Sequence, residues 1–168
     1  VLVSTIAFAE APKEKKFDLP TLTIDVRGGI LQLGKDFHPC YGEDATIWGG
    51  EIGVFIWDHV ELVGAISTYK KEGHTSYTGT PIETQTIFID TGARVYLTRC
   101  WIPELWAAAG ISFANLQEKF QVNPSVDAFT ENQTGFFVEA GINWPITYGI
   151  VLGAGVKKRW VKLDSELE

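Results

Sequence analysis

The 168-residue sequence has no methionine, two cysteines and three histidines. No window in it holds the about 18 uninterrupted apolar residues of a membrane-spanning helix. Each scarcity excludes something. Cys40 and Cys100 cannot staple a small disulfide-built scaffold. His38, His59 and His74 lack the i, i+4 or C-x-x-C spacing of a metal site, so no metal or other cofactor is expected. Basic charge is also short: 14 Lys and Arg against 21 Asp and Glu give a net charge of -7, which argues against a nucleic-acid partner. The stretch Gly153-Ala154-Gly155-Val156-Lys157-Lys158 lacks the GK[ST] ending of a phosphate-binding loop, and no G-x-G-x-x-G opens a helix. What is abundant is 17 Gly, 10 Phe, 6 Trp and 5 Tyr, a composition suited to strands rather than helices.

Residues 1–9, "VLVSTIAFA", form a short apolar run ending in Ala7-Phe8-Ala9. They match the back half of a secretory signal peptide with an A-x-A cleavage site, missing its charged front end, so the chain is expected to be clipped at its start. Residues 10–20 read as a polar linker. Beyond them, alternation with period 2 picks out seven strands: 21–33, 47–56, 60–70, 84–97, 105–115, 134–144 and 148–160. In the last, Tyr148, Ile150, Leu152, Ala154, Val156, Lys158 and Trp160 share one parity. Gly149, Val151, Gly153, Gly155, Lys157 and Arg159 share the other. One face is nearly apolar throughout; the opposite face is small, then charged.

Connections alternate in length. Short turns are expected at 57–59, 98–104 and 144–146, and long polar loops at 34–46, 71–83 and 117–133. Sorting all short links to one end and all long ones to the other is the up-and-down pattern of outer-membrane barrels. Trp57, Trp101 and Trp144 sit at the three short turns, while Trp48 and Trp160 lie toward the long-loop end. With Tyr148 they would form interfacial aromatic girdles. Trp106 has the opposite parity and is expected to be simple packing.

If the apolar parity faces outward, the lumen receives Asp25, Glu51, Glu61, Asp90 and Glu139 with Arg27, Arg94, Lys157 and Arg159. Buried charges persist only when paired, so a lumen crossed by Arg–carboxylate networks is expected, a plug rather than a channel. Asp25 with Arg27, or Asp90 with Arg94, would alternatively mark a proton or ligand path. Cys40 and Cys100 would lie at opposite ends of such a barrel, too far apart to pair.

The stretches "RGGILQLG", "WGGEIGVFIWDHVELVGAISTYKKEG", "TGARVYLTRCWIPELWAAAGISFANLQEKF" and "FFVEAGINWPITYGIVLGAGVKKRW" resemble the outer-membrane β-barrel domain family, the small eight-stranded OmpA-, OmpX- and OmpW-like proteins. The most specific echo is Gly92-Ala93-Arg94-Val95-Tyr96 running through Pro103 to Trp106 and Ala108-Ala109-Gly110-Ile111. The likeness covers residues 21 to about 161. It implies an all-β, antiparallel up-and-down transmembrane barrel in the bacterial outer membrane, non-enzymatic, with an adhesion or envelope-integrity role carried by external loops. The implied partners are outer-membrane lipid and lipopolysaccharide and the barrel-assembly machinery, and the implied state is a monomer. The sequence departs from the family in offering seven strands where eight are needed, with residues 21–162 as the barrel and 163–168 opening an external loop. Because a bilayer does not tolerate an unclosed edge, the expectation is a chain clipped at both ends or a closing strand that alternation does not pick out, residues 1–8 being the one spare apolar run but read as a signal remnant. The alternative is a soluble lipocalin-like barrel, in which the apolar parity would line a cavity for a small apolar ligand.

Overall fold

The computed structural model describes residues 3–9, 22–32, 44–74, 81–98, 103–120, 129–147 and 150–161. Its eight strands are β1 (Val3–Ala9), β2 (Leu22–Gln32), β3 (Asp44–Trp57), β4 (Val60–His74), β5 (Pro81–Tyr96), β6 (Glu104–Phe120), β7 (Phe129–Thr147) and β8 (Ile150–Trp160). Each pairs antiparallel with its sequence neighbours, and β1 pairs with β8, so the sheet is a closed barrel.

All seven expected strands are present, and the closing eighth, which alternation did not pick out, is the segment read as a signal remnant. Val3 to Ala9 pairs with Gly29 to Thr23 on one side, and Val3 to Phe8 pairs with Gly155 to Ile150 on the other. The segment read as a signal remnant thus occupies the closing position, and the barrel begins at residue 3 rather than 21. A short β-branched and aromatic run satisfies both descriptions, because apolar composition alone does not separate a leader from a strand. The link from β1 to β2, residues 10–21, joins the strands at the short-turn end, so the sorting of links by length is not complete.

Two further boundaries differ from expectation. The turn expected at 144–146 belongs to β7, and a register shift between Pro145 and Thr147 absorbs a proline that has no N–H for the ladder. Toward the long-loop end, β4 to β7 run several residues past the apolar alternation. β6 continues from Phe113 to Phe120, about 23 Å of strand at about 3.3 Å per residue. There the outer face turns polar at Asn115 and Gln117 while the inner face is mixed, with Ala114, Leu116 and Glu118 buried, so the period-2 contrast fades while backbone pairing continues.

Asp58 and His59 form the two-residue turn between β3 and β4, beside a bulge between Phe55 and Trp57. Cys40, Cys100 and residues 163–168 lie outside the described residues.

Inward glycines allow adjacent strands to approach closely. Gly92 and Gly110 face each other across β5 and β6. A Cβ on Gly110 would run into the Thr91 carbonyl, the Gly92 Cα and the Phe137 ring. Gly110→Val is expected to lower barrel stability by about 1–3 kcal/mol through overpacking, read as a lowered urea midpoint in detergent micelles; an unchanged midpoint would contradict the close approach. For β1, a chain lacking residues 1–9 is expected to lose the heat-modifiable gel migration of a closed barrel. Retention of that migration would show that the segment is dispensable, as a leader would be.

Candidate functional site

The inward positions of β2 to β8 bring all nine candidate charges into one connected chain. It starts at Glu61 on β4, which is fully buried and accepts hydrogen bonds from Thr23 Oγ1 and from Tyr96 OH at 3.1 Å. Arg94 on β5 reaches Glu61 Oε2 at 2.9 Å with one amine and Glu51 Oε1 with the other, and lies 3.9 Å from Asp25. Glu51 is shared with Arg27, which also contacts Asp25 at 3.3 Å and Glu139 at 2.6 Å. Lys157 on β8 bridges Glu139 and Asp90, each at 3.0 Å. Asp90 in turn holds Arg159 at 2.6 Å and accepts from Ser112 Oγ at 2.6 Å, and Arg159 ends the chain on Ser67 Oγ at 3.1 Å. Five carboxylates and four cations are thereby linked from the short-turn end of the lumen to its long-loop end.

Aromatic rings flank the chain. Arg94 lies 4.4 Å and Arg27 5.8 Å from the centroid of Trp106, whose Nε1 donates to Asn143 Oδ1 at 3.0 Å. Lys157 sits 4.5 Å over Phe137 and Arg159 4.5 Å over Phe88. Trp106, Tyr96, Ala108 and Phe137, with Phe55 against them, close the lumen on the side of the short turns. Tyr69, Phe88, Ile47, Ala45 and Ala114, with Leu31 and Val161, close it toward the long loops. A pocket of about 40 Å³ remains beside Arg27, Gly49, Ser67, Glu139, Lys157 and Arg159. That is room for water, whereas a carrier's ligand cavity needs about 300 Å³ or more.

The outer face is the reverse. Ile24, Val26, Ile52, Ile66, Ile89, Ile111, Val138, Leu152 and Val156 are exposed, about half of each surface. Val54, Ile87 and Ile150 are partly exposed. Glu51, Arg94 and Glu139 are within 5% of complete burial. Trp48 and Trp160 stand outward at the upper rim of this band, and Trp57 and Trp144 at the lower. Trp101 and Tyr148 lie outside the described residues. A band of exposed aliphatics on every strand from β2 to β8, with the charges inside, is stable only in hydrocarbon. This is the wall of a membrane-spanning barrel. The inverted, lipocalin-like arrangement is excluded by the same observation, since the aliphatics line no cavity.

No family model matches the chain, and no curated protein matches it. Among solved structures, the barrel is similar to Ail, the attachment invasion locus protein of Yersinia pestis, crystallised in complex with the heparin analogue sucrose octasulfate. Identity is 9% and the TM-score 0.43, over 94% of this chain and 99% of that one. It is the outer face and the enclosed charges of this chain that place it in a membrane.

Parity located the nine charges but not the neutral groups that complete their shells. Thr23, Tyr96 and Ser112 each lie on an inward parity two residues from a network charge or opposite one, which is the signal that would have found them; Ser67, opposite Gly49 and Phe88, had no such neighbour. Trp106, expected as simple packing, is the ring on which two guanidiniums lie. Among the described residues no three His, Cys, Asp or Glu are grouped to hold a metal. His59 and His74 are exposed at a turn and a strand end, while His38 is not described.

Removing a partner from a buried ion pair strands its counter-charge. Arg94→Gln is expected to cost about 3–5 kcal/mol, measured as a fall in urea midpoint, and Arg94→Lys should not restore it in full because one ammonium does not reproduce the two forked amines on Glu51 and Glu61. The exposed pair Lys70–Glu83, 2.7 Å apart, sets the control: Lys70→Gln should cost about 1 kcal/mol or less. Equal effects at the two sites would contradict the lumen's role.

Proposed function

We propose that the chain is a non-enzymatic protein of the bacterial outer membrane, a stiff plugged barrel that presents its long-loop end to the outside. Its role is contact, in adhesion or envelope integrity. The observation that carries this reading is the inversion of polarity: an outward face of β2 to β8 that is predominantly apolar around a lumen whose carboxylates are tied to cations. A hydrolytic or acid–base site needs a carboxylate or histidine free to meet a substrate. Here Glu61, Glu51, Glu139 and Asp90 are held by two or more donors each.

Contact chemistry belongs to the polar extensions of β4 to β7 and to the segments joining them, 75–80 and 121–128, with 33–43 between β2 and β3. Around the wall the partners are outer-membrane lipid and lipopolysaccharide. Insertion would depend on the barrel-assembly machinery, and the closed hydrogen-bonded wall leaves a monomer self-sufficient.

Reconstituted in bilayers, the protein is expected to show quenching of tryptophan fluorescence by lipids brominated near the headgroup and no ohmic channel steps. Replacing 34–43 and 121–128 by short turns should leave insertion intact and abolish attachment to cells or envelope components. Channel activity would overturn the plug. Undiminished attachment would overturn the assignment of contact to the loops.

A further inference from the structure

The pocket of about 40 Å³ inside the barrel is bounded by β2, β3, β4, β7 and β8, and the ion chain does not fill it. Among the described residues, three of its four charged lining groups are cations: Arg27, Lys157 and Arg159. Glu139 is the one carboxylate on its wall, since Asp25, Glu51, Glu61 and Asp90 do not line it. Gly49 leaves the β3 side without a side chain, and Ser67 supplies a hydroxyl from β4.

The bonds already made leave donors over and no matching acceptor. Arg27 directs Nη1 at Glu139 and Nη2 at Asp25 and Glu51, while its Nε is buried with no hydrogen-bond partner on a side chain that is 10% exposed. Lys157 has three N–H donors and commits two of them, to Asp90 and Glu139. Arg159 holds Asp90 and Ser67 through Nε and Nη2, which leaves Nη1, and Ser67 accepts that bond and keeps its own O–H to give. Glu139 takes Arg27 on Oε1 and Lys157 on Oε2. A water molecule placed here accepts two of the spare hydrogens but brings two of its own, for which the side chains of the wall offer no acceptor that is not already bound to a cation. An anion accepts from every side and donates nothing. Burying one is costly unless cations and N–H or O–H groups surround it, and here those groups are already in place, held by Glu139 and Asp90. A water-sized sphere needs about 10–15 Å³, so the space admits a monatomic ion and excludes an organic acid.

We propose that the pocket binds one small inorganic anion of halide size, held by Arg27 Nε, Lys157 Nζ, Arg159 and the Ser67 hydroxyl, and that this ion is a part of the folded lumen. The lumen as a whole has five carboxylates to four cations, but at the pocket three cations face one carboxylate, so the ion corrects a local excess of positive charge. It would join β2 and β4 to β8 across the barrel. The inference rests on the lumen alone and holds whatever the loops contact.

Urea midpoints of the full chain in detergent micelles can be measured against sodium chloride or bromide, with sodium gluconate keeping the ionic strength constant. The midpoint is expected to rise with halide and level off, because a ligand that binds only the folded state stabilises it by mass action. Ser67→Ala, which removes one donor and no charge, should need about fivefold more halide for the same rise. Ser67→Asp supplies the missing acceptor from the chain itself and should abolish the dependence; if that variant does not fold, Ser67→Ala carries the comparison. Crystals soaked in bromide should give an anomalous peak within hydrogen-bonding distance of Lys157 Nζ and Ser67 Oγ. A midpoint indifferent to the exchange of gluconate for halide, the same halide dependence in Ser67→Ala as in the parent, or an ordered water in place of bromide means that the pocket holds water only, which overturns the proposal and leaves the barrel reading in place. A parent chain without heat-modifiable migration overturns both.

Discussion

The constraint on which the molecule depends is the cost of nine charged groups inside a narrow barrel. An ion moved out of water loses several kcal/mol even after relaxation, so each must recover that from close, multiply hydrogen-bonded partners. The chain from Glu61 to Ser67 meets the condition by sharing: Glu51 serves two arginines, Asp90 serves Lys157 and Arg159, and Glu139 serves Arg27 and Lys157. Six of the eight strands, β2, β3, β4, β5, β7 and β8, contribute a charge, so the network braces the wall across its diameter. Once the lumen is polar, the opposite parity of every strand must be the apolar one, and a closed belt of exposed aliphatics follows. Hydrocarbon is the solvent that tolerates such a belt, and it forbids an open sheet edge, which is why closure by β1 matters.

Much of this was legible from period-2 alternation, because a lipid-facing strand has the sharpest contrast between its faces. Asp25, Glu51, Glu61, Asp90 and Glu139 fell inward together with Arg27, Arg94, Lys157 and Arg159, since a one-residue slip would have put each of them into lipid. Pairing was not legible. Whether Arg94 meets Glu61 or Asp90 depends on strand stagger around the barrel, a property of closure that no single strand encodes. The extensions of β4 to β7 were hidden differently: at Glu72, Gln85, Asn115 and Thr130 the outer face is polar, while the inner face mixes Ile82 and Leu116 with Thr84 and Glu118, so alternation carries little signal. β1 was missed for a different reason, since a seven-residue apolar segment has two physical readings and its pairing partners are far away in sequence.

Excess acid in the lumen does not by itself explain the choice of arginine over lysine at 27 and 94. Five carboxylates face four cations, yet the Nε atoms of both arginines are buried without a hydrogen-bond partner. Acceptors are therefore limited by geometry and not by number. The guanidinium group resolves this: its terminal amines fork between carboxylates while its Cζ lies over Trp106, 4.4 Å from the centroid for Arg94 and 5.8 Å for Arg27, so the ring's negative face offsets part of the burial of a cation with one unpaired donor. A lysine at either position would offer one point charge in place of the two amines that each arginine directs at different carboxylates. Lys157, which only bridges Glu139 and Asp90 above Phe137, shows where a point charge suffices. Trp106 is thus as much a part of the ion chain as the carboxylates, and the lumen is sealed by the same ring that makes its charges tolerable.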